Sequence, residues 1–197
     1  DIYRSKSAQT RWESKSVDYD YKVSMNETNT KLIGVGKSYV DNQLLHNDEP
    51  TYCLETTMDV EGVKPRPSSR LLLDLEGKNM SEYNRISVYV YPQATGFQNF
   101  YIHISLQNKG PVSFLHAPIV IPNTWNHVVF EIEDVTRDAI DHISISPYLF
   151  GCPPEALGDV RFNFGPIQFE KVKADPIFGW TLDERIAFSH CGYYGDA

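Results

Sequence analysis

Five short segments between residues 85 and 170 decide the fold. In chain order they are Arg85-Ile-Ser-Val-Tyr-Val-Tyr91, Phe100-Tyr-Ile-His-Ile-Ser-Leu-Gln107, Asn126-His-Val-Val-Phe-Glu-Ile132, Ile140-Asp-His-Ile-Ser-Ile-Ser146 and Val160-Arg-Phe-Asn-Phe-Gly-Pro-Ile-Gln-Phe-Glu170. Four of the five alternate apolar and polar residues, which gives a β-strand one apolar and one polar face. Turn-forming residues separate the segments, and no helical period lies between them. The pattern predicts an all-β fold, an antiparallel two-sheet β-sandwich of the jelly-roll type.

The same alternation predicts which side chains point into the core. The residues predicted to point inward are Ile86, Val88, Val90, Phe100, Ile102, Ile104, Val128, Phe130, Ile143, Ile145, Phe162 and Phe164. Further strands are expected at 52–60 and 69–75, and two more within 22–40. The polar stretch 41–50 is interpreted as a loop, and residues 79–84 as one helical turn.

The chain length of 197 residues suits one β-sandwich with extensions better than two domains. We expect an N-terminal arm over residues 1–21, a sandwich domain over 22–172, and a linker with the start of a following domain over 173–197. We therefore expect the chain to be the N-terminal part of a longer protein. Cys53, Cys152 and Cys191 lie far apart, so free thiols are favoured over a disulfide, and no Cys-x-x-Cys pair indicates a zinc site.

Charge and hydropathy narrow the range of partners. The formal net charge is −8, which argues against nucleic acid or an anionic membrane as the main partner. No run of about 18 apolar residues is present, so no membrane-spanning helix is predicted. The sequence also lacks the Gly-x-Ser-x-Gly, His-Glu-x-x-His and glycine-rich phosphate motifs. No pair of carboxylates stands out for glycoside hydrolysis, so enzymatic activity is left uncertain.

The order of the central segments resembles the carbohydrate-binding modules of the galactose-binding-domain-like, jelly-roll type. The resemblance covers residues 52–172 and rests on Tyr91-Pro92, the turn Thr124-Trp-Asn126 that opens a strand, the "I-x-x-I-x-I" segment from Ile140, and the closing segment from Phe162. It implies a noncatalytic module that binds a polysaccharide or oligosaccharide. Such modules accompany glycoside hydrolases, so the resemblance also implies a secreted, periplasmic or cell-surface glycan-degrading protein. The alternative is a structural spacer that docks neighbouring domains and binds no ligand.

The polar faces of three strands give the candidate site. If the apolar residues point inward, the outward side chains at the candidate site are Arg70, Asp74, Tyr101, His103, Gln107 and His142. In the resembled fold these strands belong to one sheet. An aromatic ring covers the C–H face of a sugar, and the polar groups bond its hydroxyls. The set therefore predicts a shallow sugar-binding groove, with an ordinary hydrated face as the alternative.

No cofactor is expected, although a structural calcium ion is left open. In the resembled modules the last strand often supplies an aspartate to calcium, whereas Asn163 and Gly165 stand there in this chain. The acidic residues Asp41, Asp48, Glu49, Asp59 and Glu61 offer another cluster, and His103, His116 and His142 offer imidazoles for zinc. Solvated loops and scattered histidines are the simpler interpretation of both sets.

Overall fold

The computed structural model describes residues 9–10, 21–59, 66–67, 69–93, 100–149 and 159–172. In these ranges the backbone forms only strands, turns and short connections. The strands are β1 (Gln9–Thr10), β2 (Tyr21–Val23), β3 (Thr30–Gly34), β4 (Lys37–His46), β5 (Glu49–Asp59), β6 (Arg66–Pro67), β7 (Ser69–Lys78), β8 (Arg85–Gln93), β9 (Phe100–Asn108), β10 (Val112–Val120), β11 (Asn126–Glu131), β12 (Ile140–Leu149), β13 (Asp159–Phe164) and β14 (Ile167–Glu170).

The strands form two antiparallel sheets, which confirms the predicted fold class. The larger sheet has the order β1-β11-β8-β13-β5-β4, and β14 joins it by pairing with β8 and β2. The smaller sheet has the order β10-β9-β12-β7-β3. Neighbours in each sheet are mostly distant in sequence, so most of the pairing is between non-consecutive strands. No helix in the described ranges is long and apolar enough to cross a membrane.

The core lies between the two sheets, where the apolar faces meet. Every predicted core residue whose side chain the structure describes is buried: Ile86, Val88, Val90, Ile102, Ile104, Val128, Phe130, Ile143, Ile145, Phe162 and Phe164. The side chain of Phe100 lies outside the described residues. Leu71, Leu73 and Leu75 of β7 are buried as well, because they alternate with outward residues on the same strand.

Three predictions about the local structure are wrong. The stretch 41–50 is not a loop, since β4 continues to His46 and a tight turn at Asn47 and Asp48 leads into β5. Both turn residues have positive φ, 51° and 63°, which asparagine and aspartate tolerate better than most residues. The segment predicted as one strand at 160–170 is two, separated at Gly165-Pro166. Residues 79–84 form a turn, in which the Tyr83 N–H donates to the Met80 carbonyl, and no helix.

Strand β10 was not anticipated by the sequence pattern. It pairs with β9 along the edge of the smaller sheet, with a register shift between Ala117 and Val120. The N-terminal extension supplies β1, whose Gln9 and Thr10 lie opposite Val129 and Val128 of β11. Trp12, Cys152 and Cys191 lie outside the described residues, whereas Cys53 is a buried free thiol.

Candidate functional site

The outer face of the smaller sheet, the face turned away from the core, carries the candidate site. One line of opposed residues crosses all five strands, and we call it the central row. It runs Phe114, Ser105, Ser144, Leu72 and Lys31, each lying opposite the next in the strand register. The three middle positions carry short or half-buried side chains, whereas Phe114 and Lys31 at the two ends are exposed. The middle of the central row is therefore a shallow surface of small or half-buried side chains, and a large exposed side chain lies at each end.

Two further rows flank the central row. On one side, His103 lies opposite Ser146, and Arg70 lies opposite Ile33. On the other side, His142 lies opposite both Gln107 and Asp74. Because side chains alternate between the faces of a strand, all these rows point the same way. The face thus combines hydrogen-bonding groups of both charges around a floor of small residues.

An aromatic patch, defined as Phe114, His103 and Tyr148, occupies the β10 end of this face. Phe114 is 63% exposed, although it is a large apolar residue. Its ring stacks on that of His103, with centroids 5.6 Å apart and planes 17° apart. His103 in turn meets the ring of Tyr148 edge-on at 5.5 Å. Exposed rings held in fixed positions by their neighbours are suited to covering the apolar face of a planar or cyclic ligand.

The polar groups in the row of Gln107, His142 and Asp74 have defined partners. His142 Nδ1 lies 3.1 Å from Asp141 Oδ2. Asp74 Oδ1 accepts the backbone N–H of Glu76 at 2.8 Å. Gln107 uses its amide nitrogen as a donor to the backbone carbonyl of Asn108 at 2.9 Å. The second carboxylate oxygen of Asp74 and the amide oxygen of Gln107 accept no hydrogen bond from the described residues, so both can accept one from a ligand.

An open groove of about 660 Å³ extends this face around the edge strand β3. Its walls come from the β2–β3 turn, from β3, from the middle of β7 and the start of β12, and from Ser38 and Tyr52 of the larger sheet. Lys31 and Asp74 belong both to the groove and to the outer face of the sheet. The groove is continuous with the central row, so an elongated ligand can lie across the strands.

The structure brings together the residues that the sequence singled out. Arg70, Asp74, His103, Gln107 and His142 occupy outward register positions of β7, β9 and β12. Tyr101 lies opposite Tyr148 in the backbone register, and its side chain lies outside the described residues. That these residues bind sugar stays a prediction.

Three residues of this face were missed by the sequence interpretation. Phe114 lies on the unpredicted strand β10, and Lys31 lies on a strand whose faces were not assigned. Tyr148 belongs to β12, which continues three residues beyond the predicted end at Ser146. Continuing the period of two from Ser144 and Ser146 to residue 148 would have found the tyrosine.

The outer face of the larger sheet has a different character, because its polar groups bond one another. Asp41 is buried and interacts with Arg161 and with the Asn163 amide. Burial opposes ionisation of Asp41, but hydrogen bonds from the Gln43 N–H, Asn163 and the Leu44 N–H, together with Arg161, outweigh it and lower the pKa of the carboxyl group. Asn163, at the position that would carry the calcium-binding aspartate of the resembled modules, is fully buried in this network.

An aromatic stack lies further along the same face. The rings of His46 and Tyr89 are 4.0 Å apart, and those of Tyr89 and His127 are 4.4 Å apart. Trp125 closes the stack against His46 at 4.6 Å. Gly165 lies beside the stack, and a Cβ there would make an ordinary van der Waals contact with the Cβ of Tyr89 at 3.5 Å. Burial lowers the pKa of His46, with Glu49 opposing it, so the imidazole is favoured in its neutral form.

The acidic residues considered for calcium do not form one cluster where the structure describes them. Asp41 belongs to the Arg161 network, and Glu49 pairs with Lys22 at 2.5 Å. No group of three or more His, Cys, Asp or Glu side chains in the described residues is placed to hold a metal ion. Glu61 and the side chains of Asp59 and His116 lie outside the described residues. The expectation of no cofactor, with a structural calcium ion left open, stays a prediction.

Comparison with solved structures supports the fold assignment. The chain is similar to a structure that addresses the promiscuous specificity of carbohydrate-binding modules from the β-sandwich superfamily, with a TM-score of 0.55, 13% identity, and coverage of 77% of this chain and 62% of that chain. It thus spans less than two thirds of that structure. Two further similar structures have lower TM-scores. They are the xylan-binding CBM22-1 domain of Paenibacillus barcinonensis Xyn10C (TM-score 0.49, 11% identity, coverage 83% and 100%) and a family 30 carbohydrate-binding module (TM-score 0.47, 15% identity, coverage 85% and 93%).

The chain therefore has the β-sandwich fold that is found in carbohydrate-binding modules. No family model matches the sequence, and no curated protein matches it either. At these identities the likeness concerns the fold, and the function has to be argued from the outer faces of the sheets.

Proposed function

We propose that the chain is a noncatalytic carbohydrate-binding module whose ligand lies on the outer face of the smaller sheet. The observation that carries this proposal is the aromatic patch beside rows of polar side chains. Phe114 exposes most of its ring and is held by its stacking on His103, so the ring is oriented before any ligand arrives. Preorganised rings reduce the ordering cost that weakens binding to open surfaces.

The polar rows supply the directional contacts that a sugar requires. Arg70 and His142 offer N–H donors, whereas Asp74 and Gln107 offer oxygen acceptors. Ser144 and Ser146 are short, and they leave room for a ring above the floor. Hydroxyl groups of a saccharide both donate and accept, so a face with both kinds of group fits a carbohydrate better than a purely apolar ligand.

The fold neighbours add support of a general kind. The neighbour with the TM-score of 0.55 is described as belonging to the carbohydrate-binding modules of the β-sandwich superfamily. In line with the sequence resemblance, we place the module in a secreted, periplasmic or cell-surface glycan-degrading protein, next to a following domain. In this proposal the module concentrates the protein on its polysaccharide and leaves bond cleavage to another domain.

The test is a pair of variants at exposed apolar positions, Phe114→Ala and Val35→Ala. Phe114 is 63% exposed and Val35 is 65% exposed, but Val35 lies in the β3–β4 connection away from the aromatic patch. We expect wild type and Val35→Ala to bind the same member of a panel of soluble plant and microbial polysaccharides in affinity electrophoresis. Phe114→Ala should bind about two- to tenfold more weakly, because loss of a stacking ring removes roughly 0.5–1.5 kcal/mol.

Two results would contradict the proposal. Equal binding by Phe114→Ala and wild type would move the ligand away from the aromatic patch. Failure of the wild-type chain to bind any polysaccharide of the panel would favour the spacer interpretation, in which the outer faces dock neighbouring domains.

A further inference from the structure

Two cations of the smaller sheet's outer face lie next to each other and form no ion pair with the described residues. Lys31 lies opposite Leu72, so its diagonal neighbours on β7 are Arg70 and Asp74, and Lys31 forms no ion pair with Asp74. Diagonal neighbours on one sheet face are about 7–8 Å apart at the backbone, within reach of long side chains. Both residues are exposed. The ion pairs within the described residues use other cations, namely Lys22, Lys37, Arg85, His142 and Arg161.

The acidic side chains around the groove each have a hydrogen-bond donor or a histidine as a partner, although one oxygen of Asp74 accepts no hydrogen bond from the described residues. Glu27 accepts the backbone N–H of Val40 at 2.9 Å. Asp74 accepts the N–H of Glu76, and Asp141 lies 3.1 Å from the His142 ring. Each carboxylate already interacts with a donor or a potential cation, whereas Lys31 and Arg70 pair with no carboxylate of the described ranges. Lys31 and Arg70 are thus exposed cations that form no ion pair with the described residues, in a chain whose formal net charge is −8.

The position of the cations relative to the aromatic patch sets the length of the ligand. The central row leads from Phe114 to Lys31 through four interstrand steps. At about 4.8 Å per step, the row spans roughly 19 Å. A ligand that contacts both ends is therefore a chain of several sugar units that crosses the strands. One end of this ligand contacts the ring of Phe114, and the other end contacts the cationic side chains of Lys31 and Arg70.

We infer that the site selects acidic oligosaccharides, in which a uronic acid carboxylate lies between Lys31 and Arg70 while another sugar unit of the chain stacks on Phe114. This inference rests on the proposed function and names its ligand class. Arg70 can bind a carboxylate with two parallel N–H donors, and Lys31 adds a point charge. Both groups are exposed to water, so their contribution is moderate and weakens with salt.

The experiment uses matched acidic and neutral polysaccharides with the full chain. Polygalacturonate is compared with its carboxyl-reduced form, and glucuronoxylan with the same xylan after removal of its glucuronic acid. Binding is measured by isothermal titration calorimetry at low and at high sodium chloride. We expect the acidic member of at least one pair to bind about tenfold more tightly at low salt, because two exposed ion pairs contribute roughly that factor. The preference should shrink at high salt.

Variants assign the preference to the two cations. In Lys31→Gln/Arg70→Gln the acidic and neutral members of a pair should bind with equal affinity, so the readout is the ratio of the two affinities measured on the same variant. Lys109→Gln is the matched control, because Lys109 is an exposed lysine in the β9–β10 turn at the far end of the sheet. It should keep the preference. Thermal unfolding verifies that each variant is folded.

The outcomes separate the inference from the proposed function. If wild type binds acidic and neutral members equally and Phe114→Ala weakens both, the acidic preference is overturned and carbohydrate binding stands. If the double variant keeps the preference, the assignment to Lys31 and Arg70 is overturned. If wild type binds no member of either pair and no polysaccharide of the wider panel, the inference and the proposed function fail together. Binding only to neutral glycans of the wider panel overturns the inference alone.

Discussion

The outer faces of the two sheets contain similar residues that interact in different ways. On the larger sheet, His46, Tyr89 and His127 stack as a continuous series, and Asp41 bonds to Arg161. On the smaller sheet, Phe114 stacks on His103 and still exposes 63% of its surface. Aromatic and charged side chains that stack on or bond to one another stabilise the fold. Side chains of the same types that stay exposed to solvent are available to a ligand.

This difference teaches how a structural face and a binding face can be distinguished without a bound ligand. A buried polar network loses its partners when one member is removed, so its substitution lowers the free energy of unfolding. An exposed group with few internal contacts has little effect on that free energy. Substitutions on the two faces therefore call for two measurements, the free energy of unfolding and the affinity for a glycan.

The largest effect is expected in the core that both faces share. Phe130 is fully buried between the sheets. Phe130→Ala should lower the free energy of unfolding by about 3–5 kcal/mol, because it leaves a cavity that the packed sheets cannot close. Urea denaturation measures the change. A loss below about 1 kcal/mol would mean that the core is packed differently, and both faces would then have to be reassigned.

The buried network of the larger sheet should give the next largest effect. Asp41→Ala leaves Arg161 and the Asn163 amide without their carboxylate acceptor. We expect a loss of about 2–4 kcal/mol, since one partner of this pair is buried whereas Arg161 is 32% exposed. Glycan binding per folded molecule should be unchanged. A variant that is as stable as wild type would show that this face is not held by its own polar contacts.

The same carboxylate predicts a dependence of stability on pH. The pKa of Asp41 in the folded chain is lower than in the unfolded chain, where it is about 3.9. Its stabilising contribution is therefore present above about pH 4 and is lost as the pH falls through the folded-state pKa. Between pH 5 and 2, the free energy of unfolding should decrease less in Asp41→Ala than in wild type. If the free energy of unfolding falls equally with pH in wild type and in Asp41→Ala, then Asp41 is not a source of acid sensitivity.

Two aromatic substitutions compare the faces directly. Tyr89→Ala removes a ring that stacks on both sides, and we expect a loss of about 1–3 kcal/mol with no change in glycan affinity. Phe114→Ala removes a largely exposed ring and should cost less than about 1 kcal/mol while it weakens glycan binding. Thermal unfolding and affinity electrophoresis on the same samples give both values. If both variants change stability and binding to the same extent, the distinction between the faces fails.

The smallest effect is expected at an exposed ion pair. Lys22 contacts both carboxylate oxygens of Glu49, at 2.5 and 2.7 Å, but both side chains are about 40–45% exposed. Lys22→Gln should lower the free energy of unfolding by about 0.2–1 kcal/mol, because water screens the pair. A loss above about 2 kcal/mol, measured by urea denaturation with Lys109→Gln as the control, would indicate that this pair is part of a wider network.

The sequence was informative wherever one face of a strand is apolar. Alternation in Ile86, Val88 and Val90 places them correctly in the core, because burial on one face imposes the period of two. It fails for β10, where Pro118 and a register shift interrupt the pattern. It also fails for Asp41, whose polarity indicates a loop although the carboxylate is buried by its partners Arg161 and Asn163. Those partners are about 120 residues away in sequence, so local patterns do not contain them.

The candidate site was predictable in part for the same reason. Arg70, Asp74 and His142 are outward by alternation, and the pairing of β7 with β12 brings them together. Phe114 and Lys31 required the order of the strands in the sheet, because they lie on its two edge strands, β10 and β3. Whether a strand lies at the edge of a sheet depends on which strands pair. A local sequence pattern does not determine the pairing between distant segments.

The position of β13 in the larger sheet has a consequence for synthesis of the chain. This strand lies between β8 and β5, and its hydrogen bond between Thr57 and Asp159 joins residues 102 positions apart. At about 5–20 residues per second, a ribosome needs roughly 5–20 s to make the intervening chain. Until then, β5 and β8 each have an unpaired edge. Nascent chains that stop before residue 159 therefore present open apolar strands to chaperones, and the sandwich closes only when β13 emerges from the ribosome and inserts between them.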